Sequence, residues 1–96
     1  GRRTALERAS YLLAFIHERA LSVHPRPPAR LMIPITQQHV ADTLGLSIVH
    51  TNKTLRKLAA RDLIKWHDRA CEVLDVEELK AIAGWSGLPE GPRPLI

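Results

Sequence analysis

Apolar positions recur along this chain with two different periods, and the changeovers divide it into short elements. From Thr4 to about Leu21 the residues Leu6, Ala9, Leu13, Ile16 and Ala20 fall at three- and four-residue spacing, one stripe of an α-helix. Leu12 and Phe15 widen that stripe, so this helix is expected to form the back of the core. Ser22 to Arg30 contains Pro25, Pro27 and Pro28 and cannot continue a helix. Leu31 to Ile35 is short and apolar, is interrupted by Pro34, and can be an edge strand at most. A second helical pattern opens at Thr36, a good N-cap, and carries Val40, Ala41 and Leu44 towards the core. Gly45 supplies a left-handed closing residue, and Leu46 is an apolar plug at the turn. Ser47 then caps a third helix with Thr51, Leu55 and Leu58 inward and Val49, Asn52, Lys53 and Arg56 on the opposite face.

Beyond that helix the period shortens. Leu63 to His67 and Cys71 to Leu74 read as strands separated by Asp68-Arg69-Ala70, which is hairpin spacing. Asp75 caps a last short helix through Ala83, and Gly84 stops it. The tail from Trp85 to Ile96 holds three prolines and two glycines; it is expected to fray, with Trp85 folded back onto the core. The expected architecture is mainly α with a small antiparallel β-hairpin: one domain over residues 1–84 and a flexible tail over 85–96. No internal repeat interrupts this order.

Two short helices joined by a tight turn, the second polar on its outer face, suit a helix that rests on a small core and enters a DNA major groove. The run T-Q-x-x-V-A-x-x-L-G-L-S-x-x-x-x-N-x-T-L-R-x-L, from Thr36 to Leu58, resembles the helix-turn-helix of the Crp/Fnr transcription regulators. The remaining pieces agree in order. Gly1 to Leu13 resembles the first helix of their DNA-binding domain, Asp62 to Asp75 the two-stranded wing, and Val76 to Gly84 the closing helix. In that family the wing turn usually has a glycine where this chain has Asp68. Aspartate tolerates left-handed backbone, so the wing is expected to persist with a different tip.

The outer face of the third helix carries the sharpest chemistry. Lys53 can donate to guanine O6 or N7, and Asn52 to adenine edges or a phosphate. Ile48 and Val49 lie where the resemblance implies polar readers of bases; here they can contact only thymine methyls. Arg56, one turn on, is placed to hold a phosphate. Thr36, Gln37, Ser47 and His50 lie near helix N-termini, where free N–H groups and short polar side chains cradle phosphate oxygens. For Thr36 and Ser47 capping is an equally good explanation, and for Gln37 and His50 so is plain exposure. His67 and Arg69 on the wing would reach an adjacent phosphate or the minor groove. The bland alternative for the whole stripe is a solvated helix face.

Composition narrows the choice further. Ninety-six residues fit one modest core, and 45% hydrophobic residues argue against global disorder. A net charge of +4 suits a polyanionic partner without identifying it. No apolar run approaches the roughly 20 residues needed to span a bilayer, and the first residues show no signal-peptide pattern. The single cysteine, Cys71, excludes an internal disulfide and fits a reducing, cytoplasmic location; its alternation with Val73 marks a small core residue rather than a nucleophile. His17, His24, His39, His50 and His67 are scattered over separate elements without HExxH or CxxC companions, and no glycine-rich phosphate loop is present. An enzyme, a metal site or a bound cofactor is therefore not expected within these residues.

The resemblance implies the DNA-binding output domain of a regulator whose partner is double-stranded DNA, with RNA polymerase a candidate second partner and no membrane. It also implies an N-terminal sensor barrel that would bind a cyclic nucleotide or another effector, and a long helix that makes the full-length protein a homodimer. Since Gly1-Arg2-Arg3 begins where the family's linker ends, an excised, monomeric C-terminal fragment is expected. A winged-helix module that docks a protein through the same face is the competing expectation.

Overall fold

The computed structural model describes residues 3–24, 26 and 31–85. Seven elements follow one another: α1 (Ala5–Ser22), β1 (Met32–Ile33), α2 (Gln37–Leu44), α3 (Ile48–Ala60), β2 (Ile64–His67), β3 (Ala70–Val73) and α4 (Val76–Ala83). The proline-rich stretch after α1 lies largely outside the described residues, as does the tail after Trp85.

Each helix starts where a side-chain oxygen satisfies an otherwise orphaned N–H. Thr4 and Glu7 form a reciprocal capping box, Thr4 N–H donating to Glu7 Oε1 at 2.7 Å and Glu7 N–H to Thr4 Oγ1 at 3.1 Å. The backbone hydrogen bond from Thr4 holds the Glu7 carboxyl below its ordinary value. Asp75 caps α4 by accepting from Glu78 N–H at 3.1 Å. Gly84 closes α4 at φ 70°, and Trp85 N–H donates back to Lys80 O at 2.9 Å.

The core gathers Ala9, Leu13 and Ala14 of α1, Ile33, Ile35, Val40, Leu55, Leu58, Leu63, Ile64, Cys71 and Leu79, so every element supplies at least one residue. The buried face of α1 is rotated from the expected stripe. Ala9 and Leu13 are fully buried, but Ser10, Ala14 and His17 join them, while Leu6, Ile16 and Ala20 are only partly covered. Ser10 and Ala14 are small side chains on this buried face, and α1 packs most extensively on α4. Lys80 of α4 donates to Glu18 Oε1 at 2.5 Å, which raises the lysine's pKa, and Arg3 Nη1 donates to Ala83 O. Trp85 does fold back: its ring centroid is 4.9 Å from Tyr11 and 6.4 Å from Phe15.

The sheet has three strands rather than a bare hairpin. β1 pairs antiparallel with β3, Met32 opposite Glu72 and Ile33 opposite Cys71, giving the order β1-β3-β2. Pro34 falls just beyond the paired residues of an edge strand, where its missing N–H costs no ladder bond. The β2–β3 turn is also shorter than expected. His67 pairs with Ala70, so Asp68 and Arg69 alone make the loop. Arg69, at φ 61°, takes the left-handed conformation expected of Asp68. That is the second central position of the two-residue loop, and positive φ is uncommon for a residue with a Cβ.

Candidate nucleic-acid interface

The turn between α2 and α3 sets the geometry of the outer face. Gly45 adopts φ 68°; Leu46 N–H donates to Ala41 O at 3.0 Å and Gly45 N–H to Asp42 O and Ala41 O, a Schellman-type closure. A Cβ on Gly45 would meet nothing within 4 Å, so its backbone angle, not space, is what calls for glycine. Arg8 Nη2 donates to Leu44 O at 2.6 Å and fixes the end of α2 to α1. Ser47 follows at once as N-cap of α3, accepting from His50 N–H at 3.1 Å.

From that start α3 divides as its pattern predicts. Thr51, Thr54, Leu55 and Leu58 are buried, and Thr54 Oγ1 donates to His50 O at 2.9 Å. On the other side Val49 is 74% exposed and Ile48 38%, and His50, Lys53 and Arg56 are exposed. No ion pair engages Lys53 or Arg56 among the described residues.

Asn52 departs from the expected outer face. It is half-buried, and its Oδ1 is enclosed with no hydrogen-bond partner among the described residues. There α3 packs on β2, and a hollow of about 160 Å³ is bounded by Gln37, Asn52, Leu55, Arg56 and Trp66. Trp66 Nε1 is likewise enclosed without a partner. Gln37 and Arg56 thus meet across one depression. A larger concavity of about 410 Å³, between α1 and the end of α2, is lined by none of the candidate residues.

At the start of α2, Thr36 Oγ1 accepts from His39 N–H at 3.1 Å, while Thr36 N–H donates to His39 Nδ1 at 3.2 Å. Histidine here fills the place of the usual glutamate of a capping box. The wing candidates separate. Arg69 stands exposed at the tip. His67 lies half-buried with Nε2 2.9 Å from Glu72 Oε1. Lys65, passed over in the sequence, is exposed on the same sheet face as His67, a placement legible in the alternation Ile64-Lys65-Trp66-His67. Cys71 is fully buried and burial pushes its thiol up to about 12, so it is no nucleophile. No cluster of three or more potential metal ligands exists among the described residues, and no described helix is long and apolar enough to cross a membrane.

A helix-turn-helix flanked by a three-stranded wing and backed by α1 and α4 is a winged helix-turn-helix domain. The family profile for Crp-like helix-turn-helix domains matches residues 8–82, and the chain belongs to that family. It is therefore a DNA-binding domain of the transcription-regulator kind. Among solved structures, a CRP/FNR-family transcriptional regulator from Thermus thermophilus superposes with TM-score 0.71 at 19% identity, over 88% of this chain and 43% of that one. Oxidised CprK in complex with o-chlorophenolacetic acid gives TM-score 0.66 at 17% identity, over 91% and 37%. Reduced CprK without ligand gives 0.64 at 20%, over 85% and 39%. The chain thus spans about two fifths of the length of these structures. Comparison with curated protein sequences finds no match.

Proposed function

We propose that this domain binds specific DNA sites as the output half of a CRP/FNR-like transcription regulator, with α3 in the major groove and the wing on the adjacent backbone. The observation that carries the reading is the division of α3. One face is consumed by the core, and the other presents Val49, Lys53 and Arg56, with Lys53 and Arg56 in no ion pair among the described residues, immediately after a glycine-closed turn. Gln37 at the start of α2 and Arg69 at the wing tip flank that face as phosphate contacts. In the full-length regulator an effector, a cyclic nucleotide or another small molecule, binds a sensor domain and reorients two such domains in a homodimer. Both recognition helices then fit successive major grooves, and RNA polymerase is the downstream partner, in the cytoplasm.

Titration of the domain against random and selected duplexes at several salt concentrations tests this. Phosphate contacts give a linear fall of log affinity with log salt, and a selected duplex should hold affinity above the random one. A domain that docks a protein through this face would show almost no DNA affinity at any salt concentration.

A further inference from the structure

The first turn of α3 offers bases very little polar chemistry. Ser47 is engaged as the cap, Thr51 and Thr54 face the core, and Asn52 is drawn inward beside Trp66. His50 and Lys53 remain as exposed polar side chains in the half of the helix that would enter the groove first. A lysine is a flexible point donor and discriminates less than a bidentate side chain. Beside them stand two consecutive apolar side chains, Ile48 at 38% and Val49 at 74% exposure. Val49 contributes almost nothing to the domain's own packing. Single exposed apolar residues are common on surfaces, but these two occupy the turn from which recognition helices reach base edges.

Only one base carries an apolar group on its major-groove edge, the thymine C5-methyl. We propose that Val49, with Ile48 beside it, is a specificity-determining residue that reads thymine 5-methyl groups, so that the site is chosen by apolar contact together with the point donor of Lys53. This rests on α3 being the helix that enters the major groove. Arg56 supplies attraction without sequence, Lys53 adds a single point donor, and the methyl contact selects the register.

The test uses the 96-residue chain and duplexes selected by it from a randomised pool. Each thymine of the selected duplex is replaced singly by deoxyuridine, which deletes the methyl and leaves every hydrogen-bonding group in place. At one or two positions the replacement should weaken binding roughly fourfold, the worth of one buried methyl-sized group. Val49→Ala, exposed enough to leave folding intact, should lose about the same factor on the thymine duplex and no longer distinguish it from the deoxyuridine duplex. A selected duplex that tolerates deoxyuridine at every position, yet is still preferred over a scrambled one, overturns the methyl reading and leaves DNA recognition standing. Failure to enrich any duplex overturns both.

Discussion

His67 and Glu72 are diagonal neighbours on one face of the wing hairpin, with Nε2 2.9 Å from Oε1 and the glutamate only 6% exposed. The histidine that sequence alone offers to a phosphate is thereby held against a carboxylate. Arg69, two residues on, is exposed at the tip. The two should fail differently when changed to alanine. His67→Ala removes a partner of a buried carboxylate and should cost about 1 kcal/mol of stability. Arg69→Ala should leave stability within about 0.5 kcal/mol but reduce the salt slope of DNA binding by about one unit. Urea unfolding and salt titration of both variants separate these effects; a larger salt-slope change for His67→Ala would reassign the backbone contact.

Leu55→Ala should be severe. The side chain is 1% exposed at the centre of the α3 core face, and truncating a buried leucine costs about 2–5 kcal/mol, much of a small domain's stability. Val49→Ala on the opposite face should change stability by no more than about 0.5 kcal/mol. Thermal unfolding of the pair checks the phase of α3, and similar midpoints would show that phase to be wrong.

Most helix ends are legible because each carries its own punctuation: Thr4, Thr36, Ser47 and Asp75 accept from the first turn, while Gly45 and Gly84 close with positive φ. The division of α3 is legible for the same local reason, a 3.6-residue period over thirteen residues. What escapes depends on partners distant in sequence. The rotation of α1 buries Ser10 and Ala14 more deeply than the larger Leu6 and Ile16, in a helix whose most extensive packing is on α4, far along the chain. β1 is the edge strand that the apolar run 31–35 allows, but its partner β3, Met32 opposite Glu72 and Ile33 opposite Cys71, is not legible from that run. Asn52 is half-buried at a hollow it shares with Trp66, and His67 is engaged by Glu72. Periodicity reports a residue's own face but not the neighbour across it, and at this interface the neighbour decides which polar groups are free.

Stability should fall on mild acidification. Burial holds His17 below its ordinary value of 6.5, an effect larger than the opposing attraction of Glu18. The folded domain therefore takes up the proton less readily than the unfolded chain. The resulting stability is fully present above the unfolded value and is lost as pH drops below it towards the folded pKa. Urea midpoints at about pH 7.5 and about pH 5.5, above the range where carboxylates titrate, should differ in that direction. His17→Gln should flatten the difference, and an unchanged slope in that variant would place the titrating group elsewhere.

Asp62→Gly should stabilise the domain. Asp62 follows the C-cap of α3 at φ 59° and donates its N–H to Ala59 O at 3.0 Å. Left-handed backbone strains a residue with a Cβ, and glycine is the preferred residue just past a helix end. A gain of about 0.5–1 kcal/mol in denaturant unfolding is expected. A loss would mean that the aspartate side chain contributes more than its backbone angle costs.

Lys53 and Arg56 are both exposed on α3 and both free of ion pairs among the described residues, yet they should contribute in different ways. Lys53 lies in the N-terminal half of the helix, beside Val49, where side chains reach base edges. Arg56 lies three residues, nearly one turn, further along, at the rim of the hollow shared with Gln37, where a phosphate oxygen would be nearer than a base. Lys53→Ala should therefore cost roughly 1–3 kcal/mol on a selected site and little on random DNA. Arg56→Ala should weaken both duplexes about equally and lower the salt slope by about one unit. Titrating each variant against a selected and a scrambled duplex at several salt concentrations distinguishes them. Should both substitutions weaken the two duplexes alike, Lys53 is a second phosphate clamp, and discrimination between sites falls to Val49, Ile48 and the shape of the DNA itself.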